Sequence, residues 1–188
     1  MWYVIQVSTG KEDDIASKLK ELNVKALIPK ENRMIRSGGA WGKKEYVLFS
    51  GYVFLDMTYN AENYYKVKNI PGVIRFLGDS KSPSKLSYLE AEWIMLLTGK
   101  DNAPIEPTVV MVDQEAPNNL KVVSGILERF ENRIIKYDKR SRRATFEITI
   151  CGEKKEVQLS FEMKGQELGD IGTDAADGAA EQILQYAT

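Results

Sequence analysis

Histidine is absent from the 188 residues and cysteine occurs once. Without imidazole the chain lacks the usual zinc ligand sets, a neutral-pH general base and the Ser-His and Cys-His nucleophile pairs. The lone Cys151 excludes an internal disulfide framework and fits a reducing compartment, taken here as the cytoplasm. No apolar run reaches the ~18 residues that a membrane-spanning helix needs, so no membrane partner is expected. The opening MWYVIQVSTGKEDD has neither a charged n-region nor a small-residue cleavage site, and it does not read as a signal peptide. The G-x-x-x-x-G-K-S/T spacing of a phosphate loop is missing as well. The carboxylate pairs Glu12/Asp13, Glu90/Glu92 and Asp174/Asp177 fall on solvated helix faces or in the tail, and Cys151 has no neighbouring base to activate it. These absences point away from an enzyme, and no cofactor, metal or small-molecule substrate is expected.

Net charge is also nearly absent, with 26 basic against 27 acidic residues. The near-zero sum is an average over three unlike segments. Residues 1–119 carry 15 of each sign, residues 120–165 carry 11 basic against 7 acidic, and residues 166–188 carry five acidic and no basic side chains. A basic segment followed by an acidic tail is the first pointer to a partner.

What is present reads as an α+β chain. Residues 2–7 form a β-rich apolar run, and Ser8 or Thr9 is placed to cap a helix reaching about Leu22, with Glu12, Asp13 and Asp14 suiting the dipole of its first turn. Residues 26–29 read as a short strand and residues 30–45 as a charged hairpin or loop around Ser37-Gly38-Gly39. The run YVLFSGYVFLDM (46–57) is strand-like, with Gly51 marking a bulge or a close backbone approach. If no bulge intervenes, alternation puts Phe49 opposite Tyr52 and Phe54. A short helix at 60–68, a strand at 73–77 after Pro71-Gly72, and a helix at 91–97 behind the Ser87/Glu90 capping box complete the first part. This order predicts helices on one face of a mainly antiparallel sheet. The polar, proline-bearing residues 99–107 read as a linker. Beyond them helical signals vanish, and five strand candidates (109–112, 120–123, 133–137, 144–150, 156–161) predict a small β-barrel in which Phe146, Ile148 and Ile150 share one face.

Two constellations stand out. RIIKYDKRSRR (133–143) holds Arg133, Lys136, Lys139, Arg140, Arg142 and Arg143 against one acid, Asp138. On a turn between strands these cations are expected to project together into solvent, where phosphate contacts dominate nucleic-acid affinity. Tyr137 or Phe130 would add base stacking. The second is a surplus of aromatic residues before residue 77, which predicts a sheet apolar on both faces, one under helices and one presented to a partner.

LFSGYVFLDM (48–57) followed by YKVKNIPGVIRFLGD (65–79) resembles the signature of the NusG N-terminal (NGN) domain of transcription elongation factors. In that family a strand of the form F-P-G-Y-V leads to a helix and then to V-R/K-x-x-P-G-V-x-x-F-L/V-G. Trp2-Tyr3-Val4 matches the family's opening W-Y-V. Downstream, VVSGILERFENRIIKYDKRSRRATFEI resembles the KOW barrel of the specialised NusG paralogues, in which V-x-x-G-P-L precedes I-K-K-I-D-R-x-x-R-R-A. The likeness covers about residues 1–165. Ser50 replaces the usual proline, Asn132 stands where many KOW motifs have glycine, and Ile126-Leu127 replaces a common Pro-Phe or Pro-Leu pair.

The resemblance implies an NGN domain over residues 1–98 (an antiparallel, ferredoxin-like sheet with helices), a linker over 99–107, a five-stranded KOW barrel over 108–165 and an acidic tail over 166–188. It implies a monomeric antitermination factor whose NGN domain binds the clamp of RNA polymerase through an apolar concavity. Phe49 and Tyr52, at the F-x-G-Y positions, would make that contact. Asn63, Tyr64 and Tyr65 occupy the place of a His-Thr-Thr motif that touches the opposite polymerase wall in one paralogue. The basic KOW segment is most similar to the LoaP branch, in which the barrel recognises a hairpin in nascent leader RNA. On that reading Arg129, Arg133, Lys136, Lys139, Arg140, Arg142 and Arg143 bind RNA. The alternative is a general NusG-type elongation factor whose barrel binds Rho or the ribosome.

Overall fold

Alternation in β1 (Trp2–Val7) sends Tyr3, Ile5 and Val7 to one face and Trp2 and Val4 to the other. In the computed structural model, which describes residues 1–78, 82–116 and 119–164, this strand lies inside a four-stranded antiparallel sheet. Its neighbours are β5 (Tyr52–Asp56) and β6 (Val73–Phe76), with β2 (Lys25–Leu27) outside β5. One face is covered by α1 (Glu12–Glu21) and α2 (Ala61–Lys68), whose Ile15, Leu19 and Val67 pack on Tyr3, Ile5, Val53 and Leu55. Burying each such side chain is worth roughly 1.5–3 kcal/mol. The opposite face carries Trp2, Val4, Tyr52 and Phe54 and is also covered, by α3 (Tyr88–Leu96) and by the C-terminal sheet. Both faces of the sheet are apolar as expected, but the second is not presented outward, because α3 and the C-terminal sheet pack over it.

β3 (Lys30–Ser37) and β4 (Ala40–Val47) form the charged hairpin, with Arg36 opposite Trp41 and Arg33 opposite Lys44. The outer edge of β3 is not left bare. Ile105 runs parallel to it, its N–H donating to the Lys30 carbonyl (2.8 Å) and its carbonyl accepting from Asn32 N–H (2.9 Å). Farther along the edge, Met34 N–H donates to Ser160 Oγ (3.0 Å) and Met34 O accepts from Arg143 Nη2 (2.8 Å). The segment 99–107 is thus laid against the first part of the chain, and Asn102 adds to this by accepting from Ile28 N–H (3.0 Å) and donating to Ala26 O (3.1 Å).

The C-terminal sheet has the order β8 (Leu120–Ser124), β7 (Thr108–Val112), β11 (Glu153–Met163), β10 (Arg143–Ile150), β9 (Ile134–Asp138). Phe146, Ile148 and Ile150 are buried together, as alternation requires. Phe130 stacks between Trp93 of α3 (5.3 Å) and Phe146 (4.5 Å), so one apolar core runs from the first sheet through α3 into the second.

Three expectations are corrected. Residues 46–57 are not one strand: a turn at 48–51 separates β4 from β5, because Gly51 sits at φ +80. The first helix starts at Glu12 without a side-chain cap, since Gly10 at φ +81 still belongs to the preceding turn. A 3₁₀ helix (Ile126–Arg133) occupies a stretch that had no helical signal; it is held by Leu127 and Phe130, which turn into the core. The acidic tail lies outside the described residues.

Candidate functional site

Gly51 fixes the geometry of the first candidate surface. At φ +80 an L side chain is strained, and a Cβ here would meet Val7 O and Thr9 Oγ1 at 3.4 Å. Gly51 O accepts from Val7 N–H (2.8 Å), while Gly51 N–H donates to Oε1 of the buried Glu12 (2.7 Å). Tyr52 N–H donates to Phe49 O (3.0 Å), closing the turn. The turn overrides simple alternation and brings Phe49 to the same side as Phe54, ring edge to ring face at 5.5 Å. Phe49, Tyr52, Phe54 and Val4 line a cleft of about 470 Å³ with Arg75 and Leu77. Its other wall is the β10–β11 hairpin, through Ile150, Cys151, Glu153, Lys155 and Glu156. Phe49 and Tyr52 are therefore together in one apolar cleft, and that cleft is roofed by the second sheet.

The contacts that hold the roof set two ionisation states. The Glu90 carboxylate closes the capping box of α3 with Ser87 and reaches across to accept from Gly152 N–H (3.0 Å). Burial pushes this carboxyl up, but the hydrogen bonds from the Gly152 and Ser87 backbones outweigh it and hold it below the usual glutamate value. Burial, with Glu90 and Glu153 nearby, pushes the Cys151 thiol up to about 11. Such a thiol is a poor nucleophile.

Asn63, Tyr64 and Tyr65 lie on the other side of the sheet, on α2. Asn60 caps the helix by accepting from Asn63 N–H (2.7 Å), and Asn63 Nδ2 donates to Thr58 O (2.8 Å). Tyr64 stacks on Phe76 at 4.9 Å, leaving Tyr65, 60 % exposed, as the outward-facing member. These three residues do not join Phe49 and Tyr52 in one site.

The basic segment is dispersed by the fold. Arg129, Lys136, Lys139 and Arg140 are exposed. Asp138 holds the turn between β9 and β10 by accepting from Arg140 N–H (3.0 Å) and Ser141 N–H (3.2 Å). Hydrogen bonding from Ser141 keeps the Asp138 carboxyl below its usual value. Arg133 is exposed but lies over the Trp93 ring at 4.0 Å. Arg142 and Arg143 do not project into solvent as expected. Arg142 is only 4 % exposed, with its guanidinium 4.1 Å from the centre of the Trp41 ring. Arg143 donates to Ser160 Oγ (2.6 Å) and Met34 O (2.8 Å). Burial pushes both guanidinium groups below the usual arginine value. The stacking expectation for Phe130 is also corrected, because that ring is core, and Tyr137 is half-buried edge-on to Phe161 at 5.8 Å.

The residues that meet these arginines were not singled out from sequence. Glu31, 1 % exposed, accepts from Arg33 Nε (2.6 Å) and from Ser160 N–H (2.7 Å), joining the hairpin to the second sheet. Trp41 in an otherwise polar hairpin was the available signal. Among the described residues no group of three or more His, Cys, Asp or Glu side chains is arranged to hold a metal ion, and no helix is long and apolar enough to cross a membrane.

Comparison with known proteins supplies the context. Residues 1–95 match the family described as "Transcription termination factor nusG". The transcription termination/antitermination protein NusG of Vibrio cholerae is 28% identical over 170 residues, covering 85% of this chain and 92% of that protein. NusG of Bacillus subtilis is 25% identical over 172 residues, covering 85% and 94%. Among solved structures, Thermotoga maritima NusG superposes with a TM-score of 0.50 at 24% identity, covering 85% of this chain and 92% of that one, a likeness of fold.

Proposed function

The chain belongs to the NusG family of transcription termination and antitermination factors, and from that membership we propose that it is a specialised paralogue of the LoaP type. It binds RNA polymerase through residues 1–98, an NGN domain, and nascent leader RNA through residues 108–165, a KOW barrel joined by the linker 99–107. The observation that carries the polymerase half is the cleft in which the Gly51 turn gathers Phe49 and Tyr52 with Val4 and Phe54. An apolar concavity rimmed by charge suits a protein partner, and buried aromatic anchors dominate such interfaces. Because the β10–β11 hairpin roofs this cleft, the barrel has to lift before the clamp can enter. Tyr65, exposed on α2, offers a second contact on the far side of the domain. Exposed Lys136, Lys139 and Arg140 support the RNA half, and a monomer suffices for both contacts.

The test is capture of core RNA polymerase by the full chain, with crosslinking to nascent leader RNA in a transcribing complex. Phe49→Ala with Tyr52→Ala is expected to weaken polymerase capture at least 30-fold, since truncating a hot spot costs about 2 kcal/mol or more. Lys139→Ala with Arg140→Ala is expected to remove the RNA crosslink and leave polymerase capture intact. Unchanged capture in the first variant would overturn the polymerase half. An RNA crosslink that survives the second, with Rho or ribosomes held by the barrel instead, would turn the reading to a general elongation factor.

A further inference from the structure

We propose that the acidic segment at residues 165–188 folds back on the basic turn of its own barrel and occupies the cations that RNA otherwise meets. This rests on the reading of the barrel as an RNA-binding module and gives that surface an occupant from within the chain. The segment carries Glu167, Asp170, Asp174, Asp177 and Glu181 and no basic residue. Its counterpart is the turn between β9 and β10, where Lys139 and Arg140 are exposed, with exposed Lys136 next to it on β9. None of these three cations enters an ion pair among the described residues. Asp138, the acid closest to them in sequence, is engaged in accepting from the N–H groups of Arg140 and Ser141.

The topology delivers the acidic segment to this end of the barrel. β10 begins at Arg143, which pairs with Asp138 of β9 on one side and Ser160 of β11 on the other. Just past that rung Phe161 N–H donates to Arg142 O (3.1 Å), so β11 is hydrogen-bonded to the basic turn itself. Farther along β11 the Lys164 N–H donates to Val110 O (2.8 Å), which fixes where the chain leaves the sheet. β9 and β11 flank β10, so they lie roughly 10 Å apart. At no more than ~3.5 Å per residue, Glu167 reaches roughly 10 Å from Lys164, and the four acids behind it reach farther.

So close a tether presents the segment to the turn at an effective concentration on the order of millimolar. Five acids against a cluster of exposed cations attract most strongly at low salt. The contact is independent of how the barrel sits against the N-terminal sheet, because the turn, the exit strand and the segment all belong to the barrel half. It therefore persists when the barrel lifts. RNA has to displace the segment to bind. A transcript held only by the exposed cations is turned away, whereas one that makes further contacts wins the exchange.

The experiment compares the full chain with a variant whose five acids are neutralised (Glu167→Gln, Asp170→Asn, Asp174→Asn, Asp177→Asn and Glu181→Gln). Zero-length carbodiimide crosslinking with peptide mapping reads the contact directly. Without RNA, carboxylates of the segment are expected to crosslink within one chain to Lys136 and Lys139 in preference to Lys18 and Lys20, which are exposed on α1. Added RNA stem–loop should suppress those crosslinks. By fluorescence anisotropy with the same labelled stem–loop, the neutralised chain is expected to bind about tenfold tighter at about 50 mM salt, and the gap should close as salt rises. Crosslinks spread equally over the α1 lysines, or joining two chains, overturn the inference. Equal RNA affinity of the two chains also overturns it; if Lys139→Ala with Arg140→Ala still weakens binding, the barrel reading stands. If that pair leaves RNA affinity unchanged, the RNA reading fails and the competition fails with it.

Discussion

Replacing Ser160 by alanine tests the joint between hairpin and barrel most directly. Ser160 is 1 % exposed, and its Oγ accepts from Met34 N–H at 3.0 Å and from Arg143 Nη1 at 2.6 Å. In the variant Arg143 Nη1 keeps Arg142 O as a partner at 3.3 Å, but Met34 N–H, in a fully buried residue, has no acceptor while the barrel stays docked. A buried donor left unpaired costs about 1–3 kcal/mol. When the barrel lifts, water reaches that N–H and the cost disappears, so the whole penalty falls on the docked state. Taking about 2 kcal/mol, the docking equilibrium shifts roughly 30-fold. The native cysteine reports this shift without any added label. Cys151 lines the cleft, and burial there, with Glu90 and Glu153, holds its thiol at about 11. A freed turn returns it toward the ordinary value of about 8.5, where the thiolate fraction at neutral pH is far larger. Labelling of Cys151 by a thiol reagent at fixed pH, well below the melting transition, is therefore expected to accelerate about 30-fold in Ser160→Ala. A rate within about twofold of the native chain, with the fold intact, would refute the assignment of the Ser160 contacts as the joint.

Two further outcomes follow from the groups that shape the cleft. Glu12→Ala removes the acceptor of Gly51 N–H, so thermal melts should show a loss of about 1–3 kcal/mol; a neutral result would mean that the turn does not depend on that carboxylate. Glu90 is held below the usual glutamate value in the folded chain, so its contribution is present above the unfolded value and is lost as pH falls through the folded one. The difference in melting temperature between the native chain and Glu90→Gln should accordingly shrink on acidification, and a gap that stays constant with pH counts against the Gly152 contact.

The parts of the fold legible in the sequence are those governed by local pattern. The strand at Trp2–Val7, the Ser87 cap, and the inward set Phe146, Ile148 and Ile150 follow from alternation and capping chemistry that act over a few residues. Gly51 was recognisable as a special position, but its consequence was not. A turn that carries Phe49 to the side of Phe54 depends on a carboxylate 39 positions away. The 3₁₀ helix escaped for a similar reason, since it is held by packing of Leu127 and Phe130 into a core that α3 also enters. The candidate site was half legible. Composition identified Arg142 and Arg143 as cations worth attention, yet their surroundings are set by contacts across more than one hundred positions, such as Arg143 to Met34, 109 apart. A charge run on one line of sequence therefore does not establish a charge cluster in space. Its members can be distributed among a ring, a carbonyl and solvent.

The capped edge of β3 has a consequence for handling the protein. An unpaired strand edge is a template for pairing with another chain. Here Ile105, Ser160 and Arg143 cover Lys30, Asn32 and Met34 along that edge. A fragment that ends before Thr108 keeps the Ile105 cover and loses the rest, leaving Met34 N–H and C=O without these partners. Such a fragment should self-associate in a concentration-dependent way or exchange hairpins between molecules, whereas the full chain supplies its own cover. The barrel thus completes the pairing of a strand edge that the N-terminal half covers only at Lys30 and Asn32.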